Sequence, residues 1–356
     1  MIFKTWLRTW TVIFLLFATI IIIFNYMVDP YQIFRKHDKG FSINERYQNA
    51  GIINSYLNDT NYDAIVIGTS MSQNFNTTHI EKIFDWNGTL KLTAAGSIPN
   101  TQKIFIDKAL QTNQVKHVLW EIYTTYNPTH FSKTESSDVM PKWLYSDNIF
   151  LIIQRYLFNI DTIKDSKRIL TDDWNGVSLN TYTSWMKEFK TKFKTYSNKS
   201  AIDKRMKKLK KYQHKKVDYQ FTEEFPAFDF VVSKVKNNPT IEFIFFFPPY
   251  STYYYAIQDS TSISENISMR RELVNLLAPY ANAKIYAFDT YSFTKNLHNY
   301  KDDKHYSERI NDLLLTLISK KKAMITTNNI LVYEKEFIKQ IETYRTSLGI
   351  IKMQKN

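Results

Sequence analysis

The chain has 356 residues, 44% hydrophobic and 16% aromatic, enough to bury a sizeable core as one large domain or two modest ones. It has no cysteine, which excludes a disulfide framework and any thiolate metal site. The formal charge of +13 is concentrated, because residues 187–216 alone hold 13 Lys or Arg against 2 acidic residues.

Residues 9–28 are 20 consecutive residues without a charge. At about 1.5 Å per residue such a helix covers roughly 30 Å, the thickness of the hydrocarbon layer. Lys4 and Arg8 precede it, which by the positive-inside rule leaves the N-terminus on the cytoplasmic side. Trp6, Trp10 and Tyr26 stand where interfacial anchors belong, and Asp29-Pro30 stops the helix. A cleaved signal peptide is the alternative, but cleavage needs small residues after the apolar run. Phe24-Asn25-Tyr26-Met27-Val28 supplies none. Residues 1–28 therefore read as a short N-terminus and an uncleaved single-span anchor, with the rest of the chain on the outer side.

Residues 29–60 are polar and mixed, and read as a juxtamembrane connector with one short helix. Alternation then begins: a strand at 64–67, a helix around 78–84, a strand at 89–93, a helix at 101–110 and a strand at 117–123. It breaks after residue 124. Residues 128–223 carry Trp143, Trp174, Trp185 and the basic run, and are expected to form a largely helical cap over the carboxyl edge of the sheet. The pattern resumes with an almost wholly apolar strand at 241–247, a helix at about 264–279, a strand at 284–288 and a helix at about 307–319. Residues 321–356 read as a tail with a short amphipathic helix. Strand and helix in alternation predict an α/β fold: a doubly wound parallel sheet in three α/β/α layers, built from residues 61–127 and 224–320.

In such a sheet, ligands bind beyond the carboxyl ends of the strands. The first strand runs into Gly68-Thr69-Ser70, which puts a hydroxyl in that crevice, where the next helix is expected to offer its N-terminal amides. The second strand runs into Gly96, whose amide is a candidate oxyanion donor; one such donor is worth about 2.7–4 kcal/mol in the transition state. A serine needs a base, and of the seven histidines only His305 follows an acid in a loop after the last strand. Asp302, three residues earlier, can reach its Nδ1 through one tight turn and fix the tautomer. Singly, each signal also fits a turn or a solvated loop; their order and shared position at strand ends join them. Tyr250, in Phe247-Pro248-Pro249-Tyr250-Ser251, is either a wall of an acyl or sugar pocket or part of a strand terminator. No His-Glu-x-x-His pattern is present, so neither metal nor cofactor is expected.

These blocks resemble the SGNH (GDSL-type) hydrolase superfamily, and within it the membrane-anchored branch associated with bacterial envelope polysaccharide acylation. Gly68-Thr69-Ser70-Met71-Ser72 matches the first block, Gly96 the glycine of the second, and Asp302-Asp303-Lys304-His305 the last. Asp29-Pro30-Tyr31 after an anchor is also similar to that branch. The resemblance covers about half of the chain. Two departures stand out: Thr69 replaces the usual Asp, and Glu121-Ile122-Tyr123-Thr124-Thr125-Tyr126-Asn127 stands where the third block, Gly-x-Asn-Asp, belongs. Asn127 is either a substitute oxyanion donor or a turn residue.

The resemblance implies a single-pass protein of the bacterial inner membrane with its large domain extracytoplasmic. It implies an acyl esterase or O-acyltransferase acting on an envelope glycan through a Ser70 acyl-enzyme. A transferase would draw its acyl group from a multi-span membrane partner. The alternative is a non-catalytic assembly or glycan-binding protein on a degenerate fold of the same kind; a thioesterase or lipase is a third reading. Outside the membrane the basic run suits anionic glycans or headgroups rather than nucleic acid, and a solvated helical face without a ligand fits it equally.

Overall fold

The uncharged, mostly apolar run of residues 9–28 makes most of the first element, helix α1 (Ile2–Val28). The computed structural model describes residues 2–37, 44–126, 140–171 and 224–347, together with 203, 204 and 207. Among the described residues, α1 is the one helix long and apolar enough to cross a membrane. It ends where the sequence predicts: Asp29 takes a φ of +47°, and Pro30 has no N–H to extend the ladder. The Asp29 carboxylate accepts from the amides of Ile33, Phe34 and Arg35, and the Arg35 guanidinium returns to the carbonyls of Tyr26 and Met27 at 2.7 and 2.8 Å. Those carbonyls would otherwise be orphans of the last turn.

The polar connector contains more structure than its composition suggests. Helix α2 (Glu45–Gly51) runs directly into a π-helical turn (Ile52–Tyr56), and Ile52, Ile53 and Leu57 join the core. Its buried amides are matched: Gln48 donates to the carbonyl of Tyr31, and Asn49 to that of Thr93 at 3.0 Å.

Five strands follow: β1 (Ala64–Gly68), β2 (Thr89–Thr93), β3 (His117–Glu121), β4 (Glu242–Phe247) and β5 (Ala283–Ala287). All pair in parallel, in the order β2-β1-β3-β4-β5. Strands this apolar are buried on both faces, and Phe243, Phe245, Phe246 and Phe247 of β4 have no exposed surface. Lys91 of β2 breaks the pattern, as Glu121 of β3 does; it is buried and donates to the carbonyl of Gln73 at 2.8 Å. The register aligns the carboxyl ends, with Gly68 opposite Thr93, Glu121 opposite Phe246, and Phe247 opposite Ala287.

Flanking the sheet are α3 (Thr77–Phe84) and α4 (Pro99–Leu110). Within the expected cap, α5 (Ile149–Leu157) and α6 (Ile160–Thr171) pack against α1. The basic run and Asn127 lie outside the described residues, apart from the exposed Lys204 and Lys207. The chain returns through α7 (Ala227–Asn237), α8 (Thr252–Ala256), α9 (Ser260–Leu277), α10 (Glu308–Ser319) and α11 (Ile330–Ser347).

The expected tail differs most from its reading. α11 is 18 residues long and packs onto α8 and α9, with Phe337 and Ile341 in the core. Its buried polar residues are bonded, while its outer face carries exposed Lys335, Glu336, Lys339 and Glu342. Arg345 donates to the carbonyls of Ala256 and Gln258, Gln340 to that of Asp289, and the Tyr333 hydroxyl to the Asp289 carboxylate. Asp289, two residues past β5, also pairs with the buried Arg270 of α9 at 2.9 Å.

Candidate active site

The crevice at the carboxyl ends of β1 and β3 is built around one turn. After Gly68 the chain does not enter a helix at once. Residues 70–74 form successive turns, and α3 begins only at Thr77, capped by Asn76. The expected helix N-terminus is therefore not beside Ser70. What shapes the turn instead is a buried carboxylate. Glu121, the last residue of β3, accepts from the Thr69 amide at 2.8 Å, from the Thr69 hydroxyl at 2.6 Å and from the Ser72 hydroxyl at 2.6 Å. Bonds on both sides of residue 70 hold the intervening Ser70 outward.

Glu121 has no exposed surface. Loss of solvent pushes its carboxyl above the usual glutamate range, and the three hydrogen bonds offset only part of that. The sequence reading assigned it no role. The available signal was a lone acid at the end of an apolar strand, which must find polar partners or stay protonated.

Gly68 is required by close approach. A Cβ there would lie 2.3 Å from Ser72 Oγ and 2.6 Å from Glu121 Oε2. Gly68→Ala is thus expected to push β3 and the turn apart, destabilising the fold by roughly 1–3 kcal/mol as overpacking does, and to displace Ser70. A thermal melt, together with labelling of Ser70, measures both effects. Gly96 needs its residue type for a different reason: φ is +62° and nothing lies near a Cβ. It sits on the exposed turn after β2, beside Ser97, whose hydroxyl binds the carbonyl of Gly68 at 3.2 Å.

His305 arrives from far along the chain, on the loop after β5. That loop is closed by a bridge between Tyr300 and Tyr306 and by the Lys301 amide donating to His305 O at 2.8 Å. It is docked from below by the segment after β4. The Ser251 hydroxyl donates to Asp303 O at 2.7 Å, and the Tyr300 hydroxyl to Pro249 O at 2.8 Å. The Pro-Pro-Tyr-Ser segment therefore supports the loop. Tyr250 itself is only 3% exposed, with the Lys304 ammonium over its ring and Tyr254 at its edge. It is packed under the loop rather than presented as an open wall for a sugar.

Ser70, His305 and Asp302, the three residues predicted to act together, meet. Ser70 Oγ lies 2.8 Å from His305 Nε2, across 235 positions of sequence. His305 Nδ1 lies 2.7 Å from Asp302 Oδ2, while Asp302 Oδ1 accepts from the amides of Lys304 and His305 at 2.9 and 2.8 Å. An ionised carboxylate only accepts, so Nδ1 carries the proton, and Nε2 presents a lone pair to the serine hydroxyl. Desolvation is the largest single influence on Asp302 and would raise its carboxyl. The His305 bond and charge, with the two amides, outweigh it and bring the carboxyl down to about 2. Asp302 thus stays charged through the neutral range.

Chemically, this arrangement can deprotonate a serine as it attacks and can return the proton to a leaving group. Among the described residues no three His, Asp or Glu side chains group to hold a metal ion. The chain matches no family model and no curated protein.

Proposed function

We propose that the protein is a membrane-anchored acyl esterase or O-acyltransferase of SGNH type, acting on a cell-envelope glycan from the outer face of a bacterial inner membrane. One observation carries this reading: the continuous line from Ser70 Oγ through the His305 ring to Asp302, at 2.8 and 2.7 Å. In the reaction, Ser70 Oγ bonds to the acyl carbon as its proton passes to His305 Nε2. The C–O bond to the donor alcohol then breaks, and the imidazolium protonates the departing oxygen. Water as second nucleophile regenerates the serine and makes an esterase; a sugar hydroxyl makes a transferase, served by a multi-span donor partner. The amide of Gly96 is the proposed oxyanion donor.

The fold supports the same reading. The chain passes from β1 out to β2 and then back across to β3, so the topological switch lies between β1 and β3, where open α/β sheets bind ligands. Right-handed crossovers from that order place helices on both faces, and the contacts of α3 with α10 and of α7 with α9 favour the doubly wound, three-layer arrangement.

The test is covalent labelling of the purified full-length chain with a fluorophosphonate, alongside Ser70→Ala. Labelling of the wild type and none of the variant is the expected result. Folded wild-type protein that takes no label would overturn the reading and favour a non-catalytic glycan-binding or assembly role.

A further inference from the structure

The membrane anchor does not stand alone. Every described residue of α1 from Phe3 to Phe17 is exposed, but Ile21, Ile22, Phe24, Asn25 and Val28 are partly or fully covered. The helices packed against α1 are α5 and α6. Their contact is specific: the Asn25 side-chain amide donates to Leu157 O at 2.8 Å, and the Ser166 hydroxyl donates to Asn25 Oδ1 at 3.1 Å. Tyr156, one residue before Leu157, donates to Asp29 Oδ1 at 2.9 Å. The end of α5 and the body of α6 are thereby fixed at the level of the last two turns of α1.

The other side of this helix pair exposes large apolar side chains, with Gln154 and Arg155 beside them on α5. Phe150 is 80% exposed, Ile160 67% and Phe158 50%, with Ile149 and Ile153 exposed beside them. A water-soluble domain rarely leaves so many large apolar side chains bare on one short helix pair. On α6 the exposed charged residues are Lys164, Lys167 and Arg168, with Asp161 paired to Lys164.

Length decides what covers the patch. If α5 and α6 stayed wholly in water, hydrocarbon would be left with residues 9–20 of α1, 12 residues or about 18 Å, against the roughly 30 Å that must be spanned. Recovering the deficit from the N-terminal side would draw Lys4 and Arg8 into the acyl chains. Keeping residues 9–28 in hydrocarbon instead brings the α5–α6 turn into the outer leaflet.

We infer that α5 and α6 form a second membrane contact, a hairpin lying in the outer lipid interface. Phe158, Ile160 and the Phe150 face of α5 enter the acyl-chain region, and the lysines of α6 stay at headgroup level. This rests on the reading of α1 as a membrane span. It holds the catalytic domain at a set height and orientation, where a single helix alone would let it swivel.

The absence of cysteine makes the test direct. Single substitutions Phe17→Cys, Phe150→Cys, Phe158→Cys and Thr327→Cys are placed in the full chain, spin-labelled and reconstituted in phospholipid nanodiscs. Accessibility to oxygen and to a water-soluble nickel chelate is then read by electron paramagnetic resonance. Labels at residues 17, 150 and 158 are expected to favour oxygen several-fold more than the label at Thr327, on an exposed loop. A lipid signal at residue 17 with nickel-accessible labels at 150 and 158 overturns the hairpin contact alone. Labels at 150 and 158 shielded from both reagents also overturn it, pointing to a second copy or another membrane protein on that face. Nickel access at residue 17 would sink the span itself and the hairpin with it. Ile160→Cys repeats the measurement if Phe158→Cys folds poorly.

Discussion

His305→Ala is expected to slow turnover of an activated ester by roughly 10⁴-fold or more, with little change in KM or in the thermal midpoint. The base accounts for the rate: without Nε2 at 2.8 Å, the Ser70 hydroxyl has no proton acceptor as it attacks. Stability changes little because the imidazole is half-buried on a loop held mainly by backbone bonds and by Tyr300. The double variant Ser70→Ala/His305→Ala should be no slower than either single one, since serine and base act as a unit. Asp302→Asn is expected to lose about 10²–10⁴-fold. Its amide turned toward Nδ1 would favour the opposite tautomer, leaving a proton rather than a lone pair facing Ser70. Steady-state kinetics on the four proteins check the set, and a His305→Ala variant with the wild-type rate would remove the pair from the mechanism.

Glu121 should divide sharply between two substitutions. Glu121→Ala leaves the Thr69 amide and the hydroxyls of Thr69 and Ser72 without their shared acceptor, in a place water does not reach. Each buried orphan costs about 1–3 kcal/mol, so a loss of several kcal/mol is expected, along with slow Ser70 labelling as the turn loosens. Glu121→Gln should cost far less. Its oxygen can keep the Thr69 amide and the Ser72 hydroxyl, while its amide donates to the Thr69 hydroxyl, much as a protonated glutamic acid would.

The comparison also has a pH dependence of defined sign. The folded carboxyl is raised above its usual 4.5, so the folded state retains its proton where the unfolded chain has lost it. The contribution to stability is complete below the usual value and declines as pH rises through the folded one. Denaturant unfolding of wild type against Glu121→Gln should therefore shift in favour of Gln as pH increases from about 4.5. A difference independent of pH, or equal losses for Ala and Gln, would show that Glu121 does not hold the turn in this way.

Much of the fold was readable because its signals are local. The five strands are short apolar runs bounded by polar or glycine-containing segments, and each of them lies within two residues of its expected bounds. Asp29-Pro30 stops α1 through dihedral limits that belong to those two residues. Asp302 and His305, three positions apart, needed only one turn to meet. In the same way, the uncharged length of residues 9–28 sufficed to mark a helix able to cross a membrane.

Other features depended on partners 49 or more positions away, which no local pattern encodes. Thr69 and Ser72 are ordinary turn residues until Glu121 arrives beneath them, and α3 begins only at Thr77, after its Asn76 cap. Tyr250, in sequence either a pocket wall or part of a strand terminator, is a buried support in space, because the loop carrying His305 folds over it. The end of the chain reads as a tail with a short amphipathic helix because Gln340 and Arg345 find their acceptors only against α8 and the end of β5. By itself, the amino-acid order determined the strands, the apolar helix and the residue types able to do serine chemistry. The meeting of Ser70 with His305, the clamp beneath them and the helix pair against α1 were decided by packing, because desolvated polar groups select partners by position in space and not by distance along the chain.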